Sequence, residues 1–303
     1  MRCVRLKLAP SGPEVSRIVA GMMRLKDWNL SASEMRGRLE RFVELGITTF
    51  DHADIYGGGD CESLFGAALA SMPSMRRRIQ IVTKCGIVPV LKGASGRAIK
   101  HYDTSKTHIL TSVENSLRRL RTDYVDLLLI HRPDPLMDAD EIAEAFASLR
   151  DSGKALFFGV SNFTAVQFEL LAARLPFPLV TNQVHCSILA TKPFEDGTID
   201  TCMKHRVSPM AWSPLDGGYL FFGRSKQALR VRRELKAVGG RSGRPSLERL
   251  ALAWLLKHPS GIVPLIGTGK MDRMLEAVES LKTDLSREDW FRIWTASQGH
   301  DVP

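Results

Sequence analysis

Amphipathic helical segments alternate with short apolar runs along almost the whole chain. In the first clear unit, Ser31 and Glu34 have the spacing of a helix N-cap with its capping box. Apolar residues then recur every three or four positions over residues 35–43, which predicts a helix with one buried face. Gly46 suits the end of that helix, and the apolar run at residues 47–50 predicts a short strand.

Strand candidates of this kind, each followed by helical sequence, occur eight times. They are residues 18–20, 47–50, 79–83, 125–130, 155–160, 179–182, 208–211 and 261–266. Alternating strands and helices predict a parallel sheet, and eight units in 303 residues favour a closed (β/α)8 barrel, the TIM barrel. We expect this α/β barrel to span residues 1–303 as a single domain. An open doubly wound sheet would carry a G-x-G-x-x-G turn after an early strand, and no such turn is found.

The composition is that of an ordinary globular protein, with 44% hydrophobic and 25% charged residues. The net charge of +9 is compatible with an anionic ligand. Its densest part, residues 224–249, holds nine Lys and Arg residues. Because no aromatic residues are interleaved there, we predict no nucleic-acid partner. The stretch fits either a solvated helix face or a contributor to an anionic cofactor site.

The cysteines and the termini indicate a reduced protein without a membrane partner. There are five cysteines, an odd number, and no CxxC pair, so neither a disulfide framework nor a metal site is predicted. The N-terminal residues lack the apolar core of a signal peptide, and no apolar run approaches the roughly 18 residues that span a bilayer. We expect a cytoplasmic protein, and the sequence is compatible with a monomer.

Three titratable side chains follow three of the predicted strands. Asp51, Lys84 and His131 come directly after the second, third and fourth apolar runs, and Tyr56 lies in the loop after Asp51. Because a barrel enzyme builds its site at the carboxyl ends of its strands, these side chains are predicted to converge on one rim. Taken singly, each charged residue also fits a cap or a surface position, and Tyr56 also fits a packed aromatic.

Together the four side chains suit hydride transfer to a carbonyl, which requires a proton at the oxygen atom. A free tyrosine has a pKa of about 10, and a nearby cation lowers that value. We expect Lys84 to lower the pKa of Tyr56 and Asp51 to hold Lys84 in place. His131 is expected to orient the carbonyl by a hydrogen bond.

Other strand ends carry side chains that suit a dinucleotide. Ser161 and Asn162 follow the fifth strand and Gln183 the sixth, where their polar groups can bond a carboxamide. Trp212 follows the seventh strand, where its ring can stack on a nicotinamide. Asn162 also fits a turn residue, and Trp212 also fits a core residue.

The last predicted strand leads into a turn that suits a phosphate. Gly267, Thr268, Gly269 and Lys270 join the strand to a helix, and Arg273 lies in the first turn of that helix. Glycines let backbone N–H groups approach an anion at a helix N-terminus, and the turns after strands 7 and 8 of barrels often bind phosphate. The two cations favour a 2′-phosphate, and hence NADPH over NADH.

The chain resembles the aldo-keto reductases over essentially its whole length, and in particular a bacterial subgroup of oxidoreductases. The resemblance is carried by a set of motifs in order: Asp51-His-Ala-Asp-Ile-Tyr56-Gly, Lys84-Cys-Gly, Asp126-Leu-Leu-Leu-Ile-His131-Arg-Pro, Gly159-Val-Ser-Asn-Phe163, Asn182-Gln183 and Trp212-Ser-Pro-Leu215.

The resemblance implies NADPH-dependent reduction of an aldehyde or ketone, with Tyr56 as proton donor beside Asp51, Lys84 and His131. It implies that Ser161, Asn162 and Gln183 hold the carboxamide and that Trp212 stacks on the nicotinamide. The other implied cofactor contacts are Asp51, Gly21, Met22, Met23, Ser213, Pro214, Leu215, Gly217, Gly267, Thr268, Gly269, Lys270 and Arg273.

Some positions depart from the family pattern. Many members carry Tyr in place of Trp212, and their final turn has more hydroxyls than Gly267–Lys270. Glu276 stands where the family often has an acid that grips adenine, but Ala277 lacks the amide that is common there.

The sequence is also compatible with two other functions, and it does not identify the substrate. The barrel suits an NADPH-binding sensor, as in the potassium-channel β-subunits, and also a phosphate-binding lyase or isomerase. Trp28, Tyr56 and His131 are predicted to wall the substrate pocket, with Ile87 adding apolar surface. The insertion at residues 86–108 either closes over the site or covers the barrel.

Overall fold

Eight parallel strands form a closed barrel in the computed structural model, which describes residues 2–90, 99–241 and 245–303. Each strand pairs with its neighbour in sequence, and the last pairs with the first. The strands are β1 (Val19–Gly21), β2 (Thr49–Asp51), β3 (Gln80–Cys85), β4 (Val125–Ile130), β5 (Ala155–Ser161), β6 (Asn182–His185), β7 (Met210–Trp212) and β8 (Val263–Ile266). The predicted (β/α)8 barrel is confirmed.

Helices follow every barrel strand. They are α1 (Ala32–Glu44), α2 (Asp60–Ala70), α3 (Lys106–Leu120), α4 (Ala139–Asp151), α5 (Ala165–Ala172), α6 (Thr198–Lys204), α7 (Tyr219–Phe222), α8 (Lys226–Arg241), α9 (Leu247–Leu256), α10 (Met271–Glu279) and the C-terminal α11 (Arg287–Gln298). Three of them, α7 to α9, lie between β7 and β8, so the longest excursion from the barrel follows the seventh strand.

Local sequence explains the first helix. The Ser31 side chain accepts from the backbone N–H of Glu34, whose side chain accepts from the backbone N–H of Ser31, so the predicted capping box is confirmed. The apolar face of α1 is buried, as the spacing predicts. Gly46 follows the helix with a φ of 80°, and a Cβ there would lie 2.6 Å from the carbonyl oxygen of Cys3. Only glycine fits that junction.

A short antiparallel hairpin, Arg5–Lys7 with Glu14–Ser16, lies at the amino-terminal end of the barrel. Ser208, just before β7, donates its backbone N–H to the carbonyl of Leu8, and Arg17 donates to the carbonyl of Gly261, just before β8. The hairpin therefore covers the end opposite to the strands' carboxyl termini, where the functional side chains were predicted.

Several strands extend beyond their apolar runs. Asp51 and Lys84 are the third residue of β2 and the fifth of β3, whereas both were predicted to follow their strands. Strand β6 begins at Asn182, where the predicted strand ended. The cause is common to all three, because a polar side chain that points into the barrel continues the strand without continuing the apolar pattern.

The five cysteines all lie within the described residues, where they are free and buried. Among the helices of the described residues, none is both long and apolar enough to cross a membrane.

We expect two glycine-to-alanine changes to have opposite effects on the free energy of unfolding. In Gly66→Ala, within α2, the new Cβ would lie 2.1 Å from the carbonyl oxygen of Arg119, so α2 and α3 must move apart. The expected loss is about 1–3 kcal/mol. In Gly37→Ala, on the exposed side of α1, the Cβ meets nothing within 4 Å, and we expect a gain of about 0.5–1 kcal/mol.

Chemical denaturation of both variants and of the wild-type protein measures these changes. The same amino-acid replacement in both cases cancels most of the effect on the unfolded chain. Equal stability of the two variants would contradict the close packing of α2 on α3.

Candidate active site

Lys84 is the centre of a buried polar group at the carboxyl end of the barrel. Its Nζ donates to Asp51 Oδ1 at 2.6 Å, to the carbonyl oxygen of His52 at 2.7 Å and to the Tyr56 hydroxyl at 3.2 Å. Lys84 and Asp51 are 1% and 2% exposed, so the ion pair is shielded from water. All three donor hydrogens of the ammonium group are used, which fixes its position.

Asp51 is held from both sides of the barrel. Its second oxygen, Oδ2, accepts from Gln183 Nε2 at 2.8 Å. Gln183 lies in β6, across the barrel from β2. The carboxylate therefore has a partner on each oxygen, and Gln183, which also lines the cavity at the strand ends, orients Asp51.

Burial and the neighbouring charges act in opposite directions on Lys84 and Tyr56. Burial lowers the pKa of Lys84, but the attraction of Asp51 and Tyr56 together raises it above 10.5, so the ammonium stays charged. Burial raises the pKa of Tyr56 above 10, and the Lys84 cation opposes only part of that rise. The expected lowering by Lys84 is present, but burial outweighs it and the net shift of the Tyr56 pKa is upward.

His131 follows β4 and stands edge-on to Tyr56, with the ring centroids 5.9 Å apart and the planes at 80°. Burial, with help from the Lys84 charge, lowers the pKa of His131 to about 2. The imidazole is therefore neutral at physiological pH. Its Nδ1 atom is buried and has no hydrogen-bond partner among the described residues. A neutral imidazole carries one N–H, which can donate to a carbonyl oxygen.

Trp212 is held by hydrogen bonds to the end of β5. Its indole Nε1 donates to Asn162 Oδ1 at 2.9 Å, and Asn162 Nδ2 donates to Ser161 Oγ at 2.7 Å. Asn162 has a φ of 61°, a left-handed conformation that asparagine tolerates better than most residues. The indole plane is thus fixed relative to the barrel.

These groups surround one cavity of about 800 Å³ at the carboxyl ends of the strands. Most of the predicted site residues line it. They are Gly21, Met23, Asp51, Tyr56, His131, Ser161, Asn162, Gln183, Trp212, Ser213, Pro214, Leu215, Gly217, Gly267, Thr268 and Arg273. Lys84 lies behind the wall and reaches the cavity through Tyr56.

Other predicted contacts lie elsewhere. Met22 is fully buried in the core, and Trp28 packs against Gly269, where a Cβ would lie 2.9 Å from its ring. The cavity wall includes none of the four residues Met22, Trp28, Gly269 and Lys270. Trp28 thus packs on the turn between β8 and α10. Lys270 is the exposed residue that precedes α10.

Glu276, at the position where the family often has an acid that grips adenine, pairs with another side chain of the protein. Both oxygens of Glu276 accept from Arg249, at 2.7 and 2.9 Å, and one also accepts from Ser246. Ser246 and Glu248 line the cavity instead. Of the basic stretch at residues 224–249, the part that reaches the cavity is its C-terminal end. Residues 242–244 lie outside the described residues.

Several cavity residues were not predicted. The polar ones are Arg24, Lys100, Arg132 and Glu248, and the apolar ones include Ile55, Tyr102, Phe221 and Phe222. Arg132 could have been predicted from the sequence as a cavity residue, because it directly follows His131. Ile87, Lys100 and Tyr102 come from the predicted insertion, whose hairpin pairs Ile87–Val88 with His101–Tyr102. Residues 91–98 of that insertion lie outside the described residues.

Two glycines and two cations lie along the cavity wall. A Cβ on Gly21 would be in ordinary van der Waals contact with Gly267 Cα, at 3.5 Å. Arg24 and Arg273 line the wall and make no ion pair within the part of the chain that the structure describes. In the same part of the chain, no group of three or more candidate ligands for a metal ion is found.

Comparisons with known proteins agree with this geometry. The family model described as "Aldo/keto reductase family" matches residues 17–297. An oxidoreductase of Escherichia coli (strain K12) is 50% identical over 99% of both chains. A 6-dehydroglucose reductase of Agrobacterium fabrum is 45% identical over 95% of this chain and 96% of its own. The predicted resemblance to a bacterial subgroup is confirmed.

A solved structure shares the fold. A thermostable aldo-keto reductase in complex with the inhibitor epalrestat superimposes with a TM-score of 0.81 at 28% identity, over 97% of this chain and 99% of that chain.

The balance of burial and charge predicts how Tyr56 titrates. The difference in phenolate absorbance near 295 nm between wild type and Tyr56→Phe should show one phenol that ionises above pH 10, because burial outweighs Lys84. In Lys84→Met the same phenol should ionise at still higher pH, since the cation is lost and Asp51 remains. Circular dichroism shows the pH range in which the protein stays folded. Ionisation clearly below pH 10 would mean that Lys84 dominates.

Proposed function

The chain belongs to the aldo/keto reductase family and is an oxidoreductase, and we propose that it reduces an aldehyde or ketone to an alcohol with NADPH. The observation that carries this proposal is the Tyr56 hydroxyl, which lies 3.2 Å from the buried Lys84 ammonium and faces a cavity that suits a dinucleotide. NADPH, when bound, would supply the hydride.

Tyr56 supplies the proton in this proposal. Its O–H bond breaks as the new O–H bond of the alcohol forms, and the resulting phenolate accepts from Lys84 Nζ. Because the pKa of Tyr56 is raised, the phenol is fully protonated and ready to donate at neutral pH. Neutral His131 donates to the carbonyl oxygen and keeps it close to Tyr56. Asp51 keeps Lys84 charged and fixed.

The cofactor would be held by groups along the length of the cavity. Trp212 would stack on the nicotinamide, and the loop from Ser213 to Gly217 would contact the pyrophosphate, with Arg24 beside it. Gly267, Thr268 and Arg273 would hold the 2′-phosphate, which gives the preference for NADPH. Arg24 and Arg273 support this assignment, since both line the cavity and positive charge there favours a polyanionic ligand.

For the substrate we propose a polar aldehyde, with 6-dehydroglucose as the first compound to test. A relative that is 45% identical carries the name of a reductase for that compound. Arg132 and Lys100 line the cavity near His131, where both contribute to the electrostatic lowering of the His131 pKa. Their N–H groups suit the hydroxyl oxygens of a sugar. The four side chains Asp51, Tyr56, Lys84 and His131 stand together in the site, which favours an enzyme that turns over substrate rather than a sensor.

Tyr56→Phe tests the proton donor. We expect kcat for aldehyde reduction to fall by about 100-fold or more, the usual contribution of a general acid, while NADPH still quenches tryptophan fluorescence with a similar dissociation constant. Tyr102→Phe is the matched control, because Tyr102 also lines the cavity but has no bond to Lys84. Near wild-type turnover in Tyr56→Phe would show that another group donates the proton.

Arg273→Met tests the cofactor preference. We expect KM for NADPH to rise about tenfold, since one exposed charge-assisted hydrogen bond is lost, while KM for NADH stays the same. Arg233→Met, on the exposed face of α8, is the control and should change neither value. An equal rise for both cofactors would place Arg273 away from the 2′-phosphate.

A further inference from the structure

The Asp216 carboxylate lies on the loop after β7 and has two side-chain hydrogen-bond partners, His185 at the end of β6 and Ser187 in the turn after it. His185 Nε2 lies 3.0 Å from Asp216 Oδ1, and Ser187 Oγ donates to Oδ2. Ser187 is 1% exposed and also accepts from the backbone N–H groups of Leu189 and Ala190, so its position is fixed. The three side chains lie outside the cavity wall and have no part in the proton transfer described above.

His185 also supports the indole of Trp212. The two rings stack with their centroids 4.2 Å apart and their planes at 13°. The hydrogen bond to Asn162 holds the indole at its edge, and His185 covers one of its faces. A nicotinamide therefore has only the opposite face of Trp212 on which to stack, and His185 sets how far that face reaches into the cavity.

The loop that Asp216 holds has an unusual backbone. Ser213 and Asp216 have φ values of 50° and 49°, and Gly217 and Gly218 follow at 64° and 97°. The left-handed conformation costs a non-glycine residue about 1 kcal/mol or more, so it persists where other contacts hold it. Asp216 has such contacts at both carboxylate oxygens. Its neighbours Leu215 and Gly217 line the cavity.

We propose that Asp216, His185 and Ser187 form a clamp that holds the Trp212 ring and the backbone of residues 213–218 in the shape that binds the dinucleotide. The inference rests on the proposed function, since it concerns the NADPH site. The three residues act as positioning residues, because they touch the groups that contact the cofactor and not the cofactor itself. The clamp also turns the Asp216 carboxylate away from the cavity, where it would repel a pyrophosphate.

The test measures the dissociation constant of NADPH by quenching of tryptophan fluorescence, with no carbonyl substrate present. Asp216→Ala should raise this constant about tenfold. His185→Phe keeps an aromatic ring on Trp212 but lacks the donor, whereas His185→Gln keeps an N–H donor but lacks the ring. If the bond to Asp216 is what holds the loop, His185→Gln should bind NADPH more tightly than His185→Phe.

The double variant His185→Phe with Asp216→Ala separates a clamp from two independent effects. The two losses should not add, because either change alone breaks the same contact. In steady-state assays, the loss should be larger in KM for NADPH than in kcat, and KM for the carbonyl substrate should change least. Asp151→Ala, at the exposed end of α4, is the matched control and should behave as wild type.

Each outcome is decisive. A wild-type dissociation constant in Asp216→Ala and in the double variant would overturn the clamp and leave the proposed function in place. If wild-type protein shows no quenching by NADPH, the proposed function and the clamp both fall. If Asp216→Ala melts at a lower temperature, the isosteric Asp216→Asn replaces it in the binding assay. The clamp would then be overturned if Asp216→Asn binds NADPH as tightly as wild type and the two His185 variants bind NADPH equally.

Discussion

The buried ion pair between Lys84 and Asp51 is the interaction on which the rest of the site depends. Two charges at this depth are stable only when both are paired and hydrogen-bonded, and removing one partner of such a pair typically costs about 3–5 kcal/mol. Lys84 meets this requirement with three acceptors, and Asp51 with donors on both oxygens. The pair therefore dictates the position of the Tyr56 loop, since one of the three acceptors is the Tyr56 hydroxyl.

The same requirement links the site to closure of the barrel. Asp51 and Lys84 lie on the adjacent strands β2 and β3, but the second oxygen of Asp51 is satisfied by Gln183 from β6 on the far side. An open sheet would separate these strands, so the carboxylate can be fully satisfied only once the barrel has closed. The polar layer at the carboxyl end thus stabilises the closed topology as well as the charged form of Lys84.

The sequence predicts the barrel and the residues around the cavity because both depend on local patterns. Apolar periodicity marks the strands, and a polar residue after each apolar run marks the rim. Prediction from the sequence fails where packing between residues far apart in the chain determines which groups a side chain contacts. Trp28 was assigned to the substrate pocket as a loop aromatic, but it packs on Gly269. Glu276 stands where the family often has an acid that grips adenine, but it pairs with Arg249, 27 positions away, which no local pattern indicates. The stack of His185 on Trp212 joins residues of two separate strands and has no sequence signal.

The net rise in the Tyr56 pKa follows from the burial of the phenol. A phenol of ordinary pKa beside a lysine in water would lose its proton more readily, but here the loss of hydration outweighs the Lys84 charge. In the proposed mechanism, a donor of raised pKa would stay protonated until charge develops on a neighbouring oxygen atom, and the buried ammonium would then stabilise the phenolate more strongly than it would in water. That mechanism would give the buried charge of Lys84 a role at the moment of proton transfer.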